Sequence, residues 1–391
     1  MERVIMTRLQ TEFEKIYRQS PSHIIQSPGR VNLIGEHTDY NEGFVLPMAI
    51  ELTLTLAIKP RDDDQVNLFS LDFNEQKSFS LKQLKHHPKD RWISYAKAVT
   101  FVLQKTYLLK GFDAILTSTI PRGAGLSSSA AFELAIAYAF SLSSDIPWHP
   151  TAMARATQRA ENEWVGVKCG IMDQMVIAHG KKDHAILIDC RDLSTTAIPL
   201  PDSVAIVIMD TTTRRGLVES AYNERRMVCE KASQLLGIKS LRDITLGDWP
   251  LIESKLPIEY RAKVRHVVSE NDRVLKAVEA MEQNDVETLG RLFNESHQSM
   301  RDDYQICNDA LNIMADLAQQ HPACFGARMT GGGFGGCAIA LINAEKTEEF
   351  KQFVTKQYQQ KTNLSPALYN TKASDGVRAD NFVARHCEER E

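Results

Sequence analysis

The chain has no Cys-x-x-Cys pair; its seven cysteines, at 169, 190, 229, 307, 324, 337 and 387, are scattered and odd in number. That pattern excludes a zinc ribbon and argues against a disulfide framework, leaving reduced thiols of the kind a cytoplasmic protein carries. A basic surplus is missing too. With 46 Lys and Arg against 50 Asp and Glu, and a net charge of −4, the chain lacks the electrostatic footprint of a nucleic-acid binder. No uncharged apolar run approaches the ~20 residues that a membrane span requires. The N-terminus mixes Glu2, Arg3, Arg8, Glu12, Glu14 and Lys15, which no signal peptide does. Repeats and low-complexity tracts are absent, and nothing matches the Gly-x-x-x-x-Gly-Lys-Ser/Thr loop. The expectation is a cytoplasmic protein whose 391 residues suffice for two or three domains. Its oligomeric state is not written in these features, and a monomer is compatible with them.

What is there reads as mixed α and β. Residues 7–18 have helical periodicity and 22–35 read as extended. The run from Phe44 to Ile58 is apolar and β-branched, and Glu51-Leu52-Thr53-Leu54-Thr55-Leu56 alternates as a half-buried strand should. Strands are expected near 65–70, 112–118, 184–189, 203–210, 324–329 and 337–343. Helices are expected over 92–107, where Ile93, Ala96, Val99 and Val102 form a stripe, and over 127–142 and 151–164. A short helix should follow Gly170, with further helices at 219–236, 259–282, 285–299, 305–319 and 345–358. A strand-rich first half, a helix-rich second half and a closing pair of strands predict two α+β domains, divided near residue 170.

Four segments carry chemistry. In Gly29-Arg30-Val31-Asn32-Leu33-Ile34-Gly35-Glu36-His37-Thr38-Asp39-Tyr40, a buried strand opens into five consecutive hydrogen-bonding side chains, an arrangement suited to a hydroxyl-rich ligand. Taken alone it is equally a surface turn. Pro121-Arg122-Gly123-Ala124-Gly125-Leu126-Ser127-Ser128-Ser129 follows a strand and opens an apolar helix. Glycines let backbone approach a ligand, the first helical turn offers unpaired N–H groups to phosphate oxygens, and a serine could hold a magnesium ion riding on a nucleotide. Gly331, Gly333 and Gly336 satisfy Gly-x-Gly-x-x-Gly literally, but Cys337 to Ile342 reads as a strand where a dinucleotide fold needs a helix. A loop packed close to a ligand or another loop fits better. Finally, Asp173 lies among Ile171, Met172, Met175 and Val176 near the start of a helix. It is an ordinary N-terminal acid, a general base for a hydroxyl, or a metal ligand; Glu161 could reach the same metal.

Together the four segments resemble the galactokinases of the GHMP small-molecule kinase superfamily. Gly29 to Tyr40, continuing through Asn41-Glu42-Gly43-Phe44-Val45-Leu46-Pro47, is similar to the signature that sets galactokinases apart. Gly123 to Ala131 resembles the superfamily's phosphate loop, Gly331 to Gly336 its C-terminal glycine motif, and Cys169-Gly170-Ile171-Met172-Asp173-Gln174 the segment with the catalytic aspartate. The resemblance covers essentially the whole chain and implies a two-domain α+β GHMP kinase fold. Residues 1–170 would form the N-terminal domain and 171–391 the C-terminal one, with the active site in the cleft between them and the last residues packing back on the first domain. It implies ATP-dependent phosphorylation of the anomeric hydroxyl of α-D-galactose, the first committed step of galactose catabolism. Asp173 would take the proton and Arg30 would stabilise charge on the transferring group. Glu36, His37, Thr38 and Asp39 would form the sugar site, closed by Tyr222. Gly123, Ala124, Gly125, Leu126, Ser127, Ser128 and Ser129 would cradle ATP, with Ser70 and Trp92 lining the nucleotide pocket. Ser129 and Glu161 would hold Mg²⁺. The partners are a small sugar and ATP, not nucleic acid or membrane. The competing readings are a kinase for N-acetylgalactosamine or arabinose, and a non-catalytic galactose and ATP sensor; mevalonate and homoserine kinases should lack the Glu36-His37-Thr38-Asp39 cluster.

Overall fold

A computed structural model describes residues 2–87, 89–213 and 218–382; Cys387 lies outside them, and the other six cysteines are free. Twelve strands fall into two sheets. In chain order they are β1 (His23–Ile34), β2 (Phe44–Pro60), β3 (Gln65–Ser70), β4 (Glu75–Ser80), β5 (Phe112–Ser118), β6 (His184–Asp189), β7 (Ser194–Pro199), β8 (Val204–Asp210), β9 (Cys324–Met329), β10 (Cys337–Asn343), β11 (Ala367–Thr371) and β12 (Arg378–Asn381). The first sheet runs β12-β1-β2-β5-β3-β4, and a ribbon of β6 and β7 branches from β2. Only β3 and β5 pair in parallel. The second sheet is β11-β8-β10-β9, antiparallel throughout.

The expected strands and helices are present, with additions at the edges: β4, β7, β11 and β12 were not anticipated. One expectation changes. The half-buried alternation from Glu51 to Leu56 holds only at the start of that stretch, because Leu54, Thr55, Leu56, Ala57 and Ile58 are all buried. The cause is the N-terminal helix Glu2–Tyr17, whose Leu9 and Phe13 cover the outer face of the sheet at Ile24, Ala57 and Ile115. β6 and β7 still pair with the first sheet, the second begins at Val204, and β12 returns to pair Arg378 through Asn381 with β1.

Each sheet buries an apolar inner face beneath helices. The inner face of the first packs on Ile93–Leu103, Ser128–Ser143, Pro150–Ala160 and Met172–His179. The second carries Val218–Leu236, Ile258–Glu282, Asp309–Gln319 and Thr347–Thr362 around its own core. A cleft of about 490 Å³ opens where the end of β1, the start of the Ser128–Ser143 helix, the Met172–His179 helix and the glycines after β9 converge. No helix among the described residues is long and apolar enough to cross a membrane.

Candidate active site

β1 delivers Arg30 to the floor of this cleft. Its guanidinium takes Asp173 in a two-point grip, Nε donating to Oδ1 at 2.8 Å and Nη2 to Oδ2 at 2.6 Å. Planarity makes arginine suited to such a fork, and the two bonds fix the carboxylate's orientation as well as its position. The remaining Nη1 donates to the Gly125 carbonyl at 2.7 Å, tying the pair to the glycine-rich loop. That loop turns with Gly123, Gly125 and Ser127 all at positive φ, and the helix Ser128–Ser143 follows. Ser127 makes no capping bond to the helix; its hydroxyl donates to Asp173 Oδ2 instead. The first turn is thus uncapped, with Ser127, Ser128 and Ser129 lining the cleft, which makes it a seat for anions. The late glycines close the same corner. Gly331 lies at φ +86°, and a Cβ there would stand 3.2 Å from the Gly125 carbonyl oxygen and 4.0 Å from the Arg30 guanidinium nitrogens.

The turn after β1 forms the opposite wall. Glu36, His37 and Asp39 line the cleft, joined by Tyr222 across from them. His37 sits in the left-handed region at φ 62° and is boxed by aromatic rings, with Tyr222 and Tyr304 centroids each 5.0 Å away. Its Nδ1 shares a 2.7 Å hydrogen bond with the Tyr40 hydroxyl. Asp39 accepts the Tyr40 N–H at 2.9 Å and abuts Gly170, where a Cβ would lie 1.7 Å from Asp39 Oδ2. Burial, then the negative charge of Asp173, push the Asp39 carboxyl up to about 6, against the backbone donors of Tyr40 and Met172 and the charge of Arg226.

Glu36 is anchored from behind. Its carboxylate meets Arg328 and accepts the Gly331 N–H at 3.0 Å. Arg328, fully buried, also donates to the Leu33 carbonyl at 2.6 Å and approaches Glu270 at 3.4 Å, while Arg273 grips the other Glu270 oxygen at 2.7 Å. Glu270 in turn accepts the Gly35 N–H at 3.0 Å. Two guanidinium groups face two carboxylates in this buried network, so it is balanced in charge, and breaking it would strand an ion. Burial pushes Glu36 up to about 7, with Arg328 pulling against it.

A third corner holds Glu161, on a single π turn that ends the Pro150–Ala160 helix; such turns recur at functional sites. Its oxygens accept from Ser129 Oγ at 3.4 Å and from Gln174 Nε2 at 3.0 Å. Burial, then the charge of Asp173, push its carboxyl up to about 7.

Of the residues anticipated from the sequence, Arg30, Glu36, His37, Asp39, Gly123, Gly125, Leu126, Ser127, Ser128, Ser129, Glu161, Asp173 and Tyr222 converge on the cleft. Four stand back from it. Thr38 is buried with its hydroxyl 2.9 Å from the Gly35 carbonyl oxygen and 2.6 Å from that of Phe44, which shapes the turn. Ala124 is buried in the loop's interior. Ser70 is buried and accepts the Phe73 N–H at 3.3 Å; Trp92 stacks on Phe73 and donates to Glu75 at 2.8 Å. Arg122 lies over the other side of this group, 4.1 Å from the Phe73 ring centre, so it adjoins the glycine loop without lining the main cleft. Sequence reasoning did not single out Tyr95, which lines the cleft from the Ile93–Leu103 helix; on its own helix it looks like any amphipathic position. Nor did it find Arg328, whose partners Leu33 and Glu36 lie 295 and 292 residues away.

With this geometry in place, comparison with known proteins is decisive. A family model described as the galactokinase galactose-binding signature matches residues 11–60. Models of the GHMP kinase N-terminal and C-terminal domains match residues 94–181 and 277–360. A galactokinase of Roseiflexus sp. (strain RS-1) is 43% identical, covering 94% of this chain and 96% of its own. That of Chloroflexus aggregans is 44% identical over 88% of this chain and 90% of its own. The chain belongs to the galactokinase family. Among solved structures, Lactococcus lactis galactokinase complexed with galactose superposes with a TM-score of 0.93 at 32% identity, covering 96% of this chain and 99% of that one. A mevalonate kinase, at 21% identity and a TM-score of 0.65, shares the fold. The family's two-domain α+β architecture is therefore this chain's architecture, and ATP is the co-substrate that membership of a kinase family implies.

Proposed function

We propose that this protein transfers the γ-phosphoryl group of ATP to the anomeric hydroxyl of galactose in the cytoplasm. The observation that carries the reading is the Arg30–Asp173 pair, set at an uncapped helix start and facing a polar wall of Glu36, His37, Asp39 and Tyr222 across one cleft. Phosphoryl transfer needs an acceptor hydroxyl and a phosphate held in line, with the charge of a loose transition state stabilised. The helix start and the glycine loop supply N–H donors to the phosphates. Arg30, always cationic, stands beside Asp173, where the acceptor oxygen and the transferring group must meet. Asp173 already accepts a hydroxyl proton, that of Ser127, and a sugar hydroxyl could take the same place. A carboxylate is a weak base toward a sugar hydroxyl. Its role is to orient the hydroxyl and to receive the proton late, as a loose transition state allows. Asp39 and His37 supply an acceptor and a ring nitrogen to sugar hydroxyls, Glu36 completes that wall, and Tyr222 covers it. Trp92, Phe73 and Arg122 flank the glycine loop and would cover the nucleotide base, with Ser70 behind them.

The residues at the third corner fit a magnesium ion. Hard divalent cations take carboxylate and hydroxyl oxygens, and Ser129 and Glu161 offer one of each at the mouth of the phosphate loop. Glu161, crowded by Asp173, is the group whose ionisation a nearby cation would favour. Mg²⁺ there would neutralise phosphate charge during transfer. The sheet pairing supports a working domain division between β7 and β8, with both domains contributing to the cleft.

The test is ADP release with a panel of galactose, N-acetylgalactosamine, arabinose and no sugar. Galactose should give the highest kcat/KM. Preference for another sugar would change the substrate, and ADP release with none would end the kinase reading.

A further inference from the structure

From Ala130 to Ala137 the Ser128–Ser143 helix is apolar except at Glu133. Glu133 has no exposed surface, and among the described residues it meets no cation and neither of its carboxyl oxygens has a hydrogen-bond partner. An ionised carboxylate in that state would be prohibitively costly, so the group must be neutral. Burial pushes it well above the usual carboxylate range and the negative charge of Glu161 adds to the effect, against a smaller pull downward from the Gln174 side chain. A neutral acid carries a proton that needs an acceptor. The Gln174 side chain lies against it, is itself fully buried, and has an unpartnered Oε1 while its Nε2 donates to Glu161 Oε2 at 3.0 Å. One proton on Glu133, donated to Gln174 Oε1, satisfies both orphaned groups at once. It also settles the orientation of an amide whose two ends are otherwise interchangeable.

The connection closes on the proposed metal corner. Glu133 stands one helical turn after Ser129, on the same face, and Ser129 Oγ is 3.4 Å from the other Glu161 oxygen. We infer that Glu133 is a positioning residue: as a carboxylic acid it holds the Gln174 amide with Nε2 toward Glu161, and so fixes the Glu161 carboxylate as a cation ligand. The inference rests on the reading of Glu161 as that ligand.

The experiment measures Mn²⁺ affinity by electron paramagnetic resonance, in the presence of a non-hydrolysable ATP analogue, together with thermal midpoints. Glu133→Gln keeps a donor for Gln174 and should hold Mn²⁺ within about twofold of the parent. Glu133→Leu removes the donor but not the packing; its midpoint should match or exceed the parent's, while Mn²⁺ affinity falls about tenfold, as for loss of a group supporting a metal ligand. Gln174→Leu should give the same loss, and the double variant no more, which keeps the idea testable if one variant folds poorly. At a pH of about 9, where Asp39, Glu36 and Glu161 have ionised, the infrared band of a protonated carboxyl should persist in the parent and be missing in Glu133→Gln. Unchanged affinity in both Glu133→Leu and Gln174→Leu overturns the inference, as does a Glu133→Gln variant as weak as the leucine one, or absence of the protonated band. Glu161→Gln is the control: if it still binds Mn²⁺ like the parent, the metal reading fails, whatever Glu133 does.

Discussion

Gly170 offers the sharpest perturbation of the proposed sugar wall, because the three atoms nearest to a Cβ there all belong to the Asp39 carboxylate. Its φ lies outside the left-handed region that would demand glycine, so an alanine costs nothing in backbone strain. A Cβ, however, would stand 1.7 Å from Asp39 Oδ2 and 2.1 Å from its Cγ, where real contacts essentially never fall below 3.0 Å. The Asp39 carboxylate, or the loop carrying residue 170, must therefore retreat by about 1.3 Å. Asp39 is short, and its Oδ1 is committed to the Tyr40 N–H at 2.9 Å, so it cannot swing away without losing that bond. A misplacement of about 1 Å costs on the order of a hundredfold in rate. Gly170→Ala should accordingly lower kcat/KM for galactose about 30- to 100-fold, leave KM for ATP within about twofold, and shift the thermal midpoint by no more than a few degrees. Steady-state kinetics with each substrate varied in turn, beside a thermal melt, reads all three. The cycle with Asp39→Ala makes the reasoning strict. Once the carboxylate is gone the clash is gone, and Gly170→Ala should cost almost nothing further in that background. Normal galactose kinetics for Gly170→Ala, or losses that simply add in the double variant, would refute the argument.

Asp173→Asn should lower kcat by several orders of magnitude while galactose binding, followed by calorimetry, survives; near-normal turnover would sink its assignment. Arg30→Lys keeps the charge but not the fork, and kcat should fall about 10²- to 10³-fold; an unimpaired variant would make the arginine structural. With its carboxyl at about 6, Asp39 must lose its proton to accept from a sugar hydroxyl, so kcat/KM for galactose should rise with pH through about 6, and Asp39→Asn should flatten that limb. The same sign gives a stability effect: folded Asp39 binds its proton more tightly than the unfolded chain does, so its contribution to ligand-free stability is present in acid and lost as pH rises through about 6. Arg328→Met leaves Glu36 and Glu270 facing each other without their shared cation and should cost about 3–5 kcal/mol in urea unfolding; a loss below about 1 kcal/mol would mean that the network is not what pins the turn.

The parts of this molecule legible in its sequence are those in which neighbouring residues decide the outcome. β1 and β2 announce themselves by apolar density, and the phosphate loop by glycines before a serine-headed helix, because backbone conformation and helix start are local properties. β11 and β12 do not. Ala-Leu-Tyr-Asn-Thr and Arg-Ala-Asp-Asn carry little strand pattern, and they are strands because β8 and β1 offer open edges for pairing. Arg328 was invisible for a related reason: its partner Glu36 is 292 residues away, and Cys-Phe-Gly-Ala-Arg-Met reads as a strand with one polar interruption. Glu133 is different. A lone acid in Ala130-Ala131-Phe132-Glu133-Leu134-Ala135-Ile136 is a local signal, since a charge at the centre of an apolar helix contradicts its own neighbours. What no neighbour could supply is Gln174, the partner that gives the protonated acid its role.

The charges that line the cleft carry the mechanism one step further. Among the described residues, Glu36, Asp39, Glu161 and Asp173 face it, with Arg30 as the guanidinium opposing them. Arg30 is already committed to Asp173 on two of its nitrogens. A nucleoside triphosphate brings more negative charge into that space, and the dipole of one helix start offsets only about half a unit. Glu161 and Asp39, each pushed up by burial and by Asp173, register the same excess from the protein's side. A site so built favours the nucleotide together with a divalent cation over the nucleotide alone. A cation held at Glu161 would relieve the crowding between Glu161 and Asp173 and would thereby leave Asp39 facing less uncompensated negative charge, readier to ionise and accept from the sugar. Phosphate donor and sugar acceptor would then be coupled through the carboxylates between them, and galactose should bind more tightly once the metal–nucleotide complex is in place than before it.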